Sequence, residues 1–382
     1  MNEKHEESGM NKIRKLTFVS AKIARGGAER VISVLCSSLA DLGYQIDLIL
    51  YERRDDEYPI SSKVNIHLLP KRKNGESKVN YYVRKFFCFR KLLKELEPDV
   101  LIPFLPYQVE QSFLASCGLG IPFVVTVRNN PKFDTPNEKM RRHRDWIAKY
   151  AEAVFVQNEE QKTYFSENIQ KKTFVVPNPV QYAILNAEYE HGGSVQRLVS
   201  MGRLEEQKNF PLLIKAFAEV KKKFPKLILD IYGKGSLENE LQSLIDSLKV
   251  HDSVRLCGRT NNVAETLGQY DLFIMSSNYE GMPNALMEAM GVGLPCISTD
   301  CPTGPKELLG KNERGILVAT ENIEELACAI EYSICNITEI KNKAQDGKKY
   351  IHEMFSPDKV ATLLVDELEK ILRPDNERNK KR

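Results

Sequence analysis

The sequence predicts an α/β protein of two doubly wound domains, each a parallel sheet covered by helices, facing one another across a cleft. Short apolar, β-branched runs recur along the whole chain and alternate with helical patterns. The runs are apolar throughout rather than on every second residue, as strands buried on both faces are. The alternation breaks once, in the polar stretch NAEYEHGGSVQ at 186–196, and 382 residues exceed what one compact core organises.

In chain order, the polar, charged segment 1–14 is expected to be disordered and has no apolar run of signal-peptide type. Residues 15–185 form the first domain, with strands in LTFVS (16–20), QIDLILY (45–51), VLIPFL (100–105), FVVTV (123–127), AVFVQN (153–158) and TFVVPN (173–178). Residues 195–355 form the second, with RLVSMG (197–202), LILDIYG (227–233), VRLCG (254–258), LFIMSS (272–277), PCIST (295–299) and GILVA (315–319). A last helix over 356–372 carries apolar residues at 360, 363, 364, 368, 371 and 372, so it must dock on something. The basic tail 373–382 is expected to be disordered.

Composition excludes several classes. With 42% apolar and 28% charged residues the chain reads as an ordinary folded protein, and it has no run long enough for a transmembrane helix. Eight scattered cysteines without a CxxC pair read as small core residues in a reducing compartment, so a cytoplasmic location is expected. Six dispersed histidines form no zinc pattern. Charge is uneven: residues 1–180 hold 29 Lys and Arg against 22 Asp and Glu, the remainder 26 against 30. The first half is therefore where an anionic partner is to be sought.

The richest chemistry lies in NYEGMPNALMEAM, 278–290, between two core strands. Pro283 suits the first position of a helix over 283–291, whose first turn offers the free amides of Asn284, Ala285 and Leu286. Glu280 precedes that helix. On the wheel Glu288 lies opposite Leu286, Met287 and Met290, so both acids can reach a cleft at the C-terminal sheet edge, where open α/β sheets bind ligands. Read singly, the two are a loop acid and a solvated surface acid. Two further strand-to-helix turns carry cations and glycines. GRLEEQKNF (202–210) places Arg203 and Lys208 at the sheet edge as phosphate partners. ARGGAERV (24–31) lets the backbone approach an anion at Gly26 and Gly27, although it is not the dinucleotide fingerprint. IYGKG (231–235) is a weaker signal of the same kind. Four such turns on one side of two sheets describe a sugar-nucleotide cleft, with anion sites for a diphosphate and acids for hydroxyls.

These segments resemble the retaining family 4 glycosyltransferases. EGMPNALMEAMGVGLP looks like their E-x7-E signature, SMGRLEEQKNF their diphosphate motif, and RGGAERV the N-terminal loop of bacterial members that assemble surface polysaccharides. VPNPV (176–180) and DCPTGPKEL (300–308) are similar to further family segments. The likeness runs from about residue 15 to 370. It implies a GT-B fold of two Rossmann-like domains, with 15–185 binding the acceptor and 195–355 the sugar nucleotide. It also implies retaining transfer of a hexose from a UDP-type sugar nucleotide to a lipid-linked saccharide or glycan, with no metal or other cofactor. No D-x-D motif is present to hold Mg²⁺ or Mn²⁺. Carried over by position, Arg203 and Lys208 neutralise the diphosphate and Glu288 holds the ribose. Glu280 holds the donor sugar, the backbone of Gly281, Met282, Asn284, Ala285 and Leu286 binds sugar hydroxyls, and Gly27 takes the distal phosphate. Many members carry a histidine after the fifth strand. Here Arg128 and Asn129 stand there, and Arg128 is either a catalytic substitute or a residue packing the domain face.

Residues 71–94 hold nine Lys and Arg against one Glu, with Tyr81, Tyr82, Phe86, Phe87 and Phe89 interleaved. Such a helix either lies on an anionic membrane surface, making the protein peripheral at the inner face, or is a core helix with a basic rim. No nucleic-acid module accompanies the charge, so nucleic acid is not an expected partner. Two alternatives remain on this architecture: a non-hydrolysing sugar-nucleotide epimerase and a non-catalytic sugar-nucleotide-binding subunit.

Overall fold

The computed structural model describes residues 13–24, 26–189 and 192–372. Residues 1–12 and 373–382, for which disorder is expected, lie outside them. Ile13 is already buried in the core, so ordered chain begins before the expected boundary.

The first domain opens with β1 (Lys15–Ser20), β2 (Gln45–Leu50), β3 (Asn65–Leu68) and β4 (Val100–Pro103), in the order β3-β2-β1-β4 with every pair parallel. The strands β5 (Val124–Thr126), β6 (Ala153–Val156) and β7 (Thr173–Val175) continue it, joined through the parallel bridge Leu101–Phe123. Leu16 and Phe18 point to one core of this domain and Val19 to the other, so both sheet faces are covered. That burial is why these strands read as unbroken apolar runs. β3 was not expected: its NIHL is short and polar, because it forms the half-exposed edge of the sheet.

The second domain holds β8 (Arg197–Met201), β9 (Ile228–Tyr232), β10 (Val254–Gly258), β11 (Leu272–Met275), β12 (Cys296–Thr299) and β13 (Ile316–Val318). Their order, β10-β9-β8-β11-β12-β13, reverses direction between β8 and β11. This is the switch point at which an open parallel sheet leaves a crevice at its carboxyl ends.

The helices of the first domain include α1 (Gly27–Asp41), α2 (Lys78–Leu96), α3 (Pro106–Ser116) and α4 (Glu138–Tyr150). The last helix, Pro357–Leu372, crosses back and docks on the first domain. Its Val360, Ala361, Leu364, Val365, Leu368 and Ile371 complete that core against α1, and Asp358 accepts from Ser38 at 2.7 Å. Val180, whose amide donates to the Phe355 carbonyl at 2.9 Å, and Ile184 already pack with Phe355 in the core of the second domain, so that core takes in residues expected in the first. The cysteines correct the composition argument. Only Cys36, Cys296 and Cys301 are buried; Cys88, Cys117, Cys328 and Cys335 are exposed, and all eight are free.

Candidate active site

At the corner between β11 and β12, the helix runs Asn284–Val292. Pro283 is therefore not its first residue but the extended cap before it, at φ −76° and ψ 96°. Gly293 ends the helix at φ +96°, a conformation that suits glycine. Among the described residues, no carbonyl accepts from the amides of Asn284, Ala285 or Leu286. The side chains of Met282 and Leu286 are buried in the core, so only their backbone can meet a ligand. Gly281 has a specific steric role: a Cβ there would lie 2.6 Å from Asn129 Cα in the first domain. Its carbonyl accepts from Asn158 at 3.0 Å.

Glu280 and Glu288 are 5% and 4% exposed, so neither is a solvated acid. The Glu280 carboxylate accepts from Lys208 Nζ at 2.5 Å, Ser277 Oγ at 2.6 Å and Gln207 Nε2 at 3.4 Å. Glu288 meets Arg30 of α1 in an ion pair across the cleft. Burial raises the Glu288 pKa, while Arg30 opposes that shift. Arg203 is exposed, donating to Gln207 Oε1 at 3.1 Å. It also faces the opposite domain: burial pushes the Glu29 carboxyl up, and among the opposing influences are Lys22 and Arg203. Gly27 touches the corner helix, its carbonyl accepting from Asn284 Nδ2 at 3.2 Å. Glu280, Arg203, Lys208, Glu288, Gly27 and the free amides thus converge on one interdomain cleft.

Arg128 sits at the inner edge of the first domain. Its Nη1 donates to the Val176 carbonyl at 3.1 Å and its guanidinium lies 4.5 Å from the Phe104 ring centre. Nε and Nη2 are hidden from solvent without a hydrogen-bond partner, and burial pulls its pKa down. A desolvated cation with two idle donors suits an anion or a sugar oxygen.

Sequence reasoning passed over Arg30, Glu29, Gln207, Ser277 and Asn178. Asn178 binds Asn284 Oδ1 at 2.8 Å across the domains. Arg30 had a signal, since it stands in the first turn of the helix that Gly27 opens. Glu29 and Asn178 stood inside the quoted segments RGGAERV and VPNPV, but their partners arise only where the two sheets meet.

Two facing Rossmann-like domains with a polar interdomain cleft define the GT-B class. Two family models match in succession: Glycosyltransferase Family 4 over residues 25–183 and Glycosyl transferases group 1 over residues 184–350. An uncharacterized glycosyltransferase of Haemophilus influenzae is 28% identical over 91% of this chain and 98% of its own. A Campylobacter jejuni alpha-1,4-N-acetyl-D-galactosaminyltransferase acting on a diphospho-undecaprenol-linked saccharide is 27% identical over 83% of this chain and 88% of its own. The solved structure of Anabaena HepE with UDP and glucose superposes with a TM-score of 0.78 at 16% identity, covering 93% of this chain and 99% of the other. This chain is a GT-B glycosyltransferase.

Proposed function

We propose that the protein transfers a hexose from a UDP-sugar, with retention at the anomeric carbon, to a lipid-linked saccharide in bacterial surface polysaccharide assembly. The observation that carries this is the convergence of two buried glutamates, two cations and the Gly27 loop on one interdomain cleft. The acceptor class comes from the Campylobacter relative, and the UDP donor from the nucleotide bound to HepE.

In this scheme negative charge grows on the departing diphosphate, and Arg203 and Lys208 stabilise it in place of a metal ion. Glu280 fixes Lys208 in advance and presents its carboxylate to the donor sugar. Glu288 releases Arg30 to take the ribose hydroxyls, the amides of Gly281, Met282, Asn284, Ala285 and Leu286 meet sugar hydroxyls, and Gly27 approaches the distal phosphate. Arg128 supplies a cation where many family 4 members carry a histidine. We place the enzyme in the cytoplasm, peripheral at the membrane. No helix among the described residues is long and apolar enough to cross one, and α2 exposes Val79, Tyr82, Val83 and Phe87 beside its cations. The test is acceptor-dependent UDP release from a panel of UDP-sugars, with the product's anomeric configuration read by NMR. An inverted product overturns retention, and no release from any UDP-sugar overturns the donor assignment.

A further inference from the structure

A file of side-chain amides crosses the seam between the two domains. Gln157 and Asn158 follow β6, Gln161 lies in the short helix Glu159–Thr163, and Asn178 follows β7; all four are buried. Gln161 Nε2 donates to the Asn129 carbonyl and to Gln157 Oε1, both at 3.2 Å. Gln157 Nε2 donates to Asn178 Oδ1 at 2.9 Å, and Asn178 Nδ2 to Asn284 Oδ1 at 2.8 Å. Asn284 Nδ2 returns to the first domain, donating to the Gly27 carbonyl at 3.2 Å. Asn158 lies alongside, its Nδ2 donating to the Gly281 carbonyl at 3.0 Å. Among the described residues, no charged side chain bonds to any of these five amides.

Both ends of the file fix its direction. Gln161 Oε1 is taken by the Gln157 backbone amide at 2.7 Å, so the nitrogen of that side chain must serve the next member. The Gly27 carbonyl can only accept, so Asn284 must donate to it. Each amide between them therefore has one orientation, giving with nitrogen and accepting with oxygen. Space is as tightly set as polarity. A Cβ on Gly281 would lie 2.4 Å from Gln157 Oε1, and one on Gly27 would lie 2.9 Å from Asn284 Nδ2. The file thus starts on the loop that bears Arg128, passes the corner that holds Glu280 and Gly281, and ends on the Gly27 loop. None of its members ionises, so ordinary changes of pH leave it as it is.

Resting on the donor-site reading above, we propose that Gln157 and Asn178 are positioning residues for transfer. They act through Asn284 and Gly281, which the file holds against the first domain. The register so fixed sets the gap between the donor sugar on the second domain and an acceptor carried by the first. Misplacement by about 1 Å at such a gap costs about a hundredfold in rate, and it leaves the groups that hold UDP untouched.

Asn178→Asp and Gln157→Glu keep the shape and replace a donor by an oxygen. Each carboxylate then faces the oxygen that its amide served, and the file breaks at that link. The measurements are UDP affinity by calorimetry, acceptor-dependent UDP release, and release to water without acceptor. The kcat for transfer should fall about tenfold or more in each variant, with UDP affinity nearly intact. Release to water should fall less than transfer, because water needs no placement by the first domain. A buried carboxyl has a raised pKa, and once protonated its O–H donates again. Transfer by Asn178→Asp, relative to wild type at each pH, should therefore recover as pH falls from about 8 to about 5. Wild-type kcat in both variants, equal loss of transfer and of release to water, or a loss that persists in acid overturns the proposal. UDP affinity lost in both variants overturns it too, since the file then shapes the donor site itself. A wild-type protein that neither binds nor releases UDP strikes the donor reading instead, so the two fail separately.

Discussion

Lys208→Ala probes the ion pair on which the donor site is built. Lys208 Nζ lies 2.5 Å from Glu280 Oε1, with side-chain exposures of 14% and 6%. At that distance the direct attraction is roughly 6–7 kcal/mol for an effective dielectric of about 20, most of it offset by the cost of desolvating both ions. Removing the lysine alone leaves a buried carboxylate, which typically costs about 3–5 kcal/mol. Ser277 and Gln207 still donate to that carboxylate, so the lower end is expected, about 3 kcal/mol. For a domain of this size, that lowers the melting temperature by about 6–12 °C. Lys208→Ala with Glu280→Gln removes the stranded charge and should recover most of the loss. Turnover should not recover. Losing a cation that stabilises the leaving group costs about 10²–10³ in rate, in the single and double variants alike. Scanning calorimetry and UDP-release kinetics read the two effects apart. A single variant melting like the wild type, or a double variant melting as low as the single, refutes the pairing. A double variant with restored turnover refutes the role in transfer.

The two acids should separate by calorimetry. Glu288→Gln weakens UDP binding about tenfold or more, whereas Glu280→Gln slows transfer and leaves UDP affinity nearly intact; two variants that bind UDP normally contradict the ribose assignment. Replacing Lys71, Arg72, Lys73 and Lys78 by Ser should release the protein from anionic vesicles in co-sedimentation, since each cation near an anionic leaflet contributes about 1 kcal/mol and less at high salt. A wild-type protein that stays in the supernatant at low salt removes the membrane reading of α2. Burial depresses Lys85 to about 8, below its ordinary value. The other charged and titratable groups facing it are Tyr51, Tyr81, Tyr107, Lys71, Arg72 and Glu52. Between about pH 8 and the unfolded-chain value near 10.4, only the unfolded chain keeps this proton, so the group makes stability rise with pH there. Thermal unfolding followed against pH should show this trend in the wild type and lose it in Lys85→Met.

Most of the fold was legible because the strands are buried on both faces and leave unbroken apolar runs. β3 was not, since an edge strand such as NIHL needs no apolar face. The final helix showed its apolar stripe in sequence but not its dock, which lies across the domain boundary on α1. At the site, the turn chemistry around Gly27, Arg203, Lys208 and Glu280 could be read locally, because each lies in the turn between a strand and the helix that follows it. The helical wheel gave Glu288 the outward face and stopped there. That this face is closed by Arg30 depends on how the two sheets meet, and no periodicity records it. Lys85 was counted only as one cation in a basic run. Its burial among three tyrosines follows from where α2 crosses the sheet edge.

The most direct measurement is a crystal structure of the protein with UDP. The diphosphate is expected against Arg203, Lys208 and the Gly27 loop, with Glu288 turned from Arg30 to the ribose hydroxyls. UDP bound outside the interdomain cleft, or in it with the Arg30–Glu288 pair intact and the ribose elsewhere, contradicts the account.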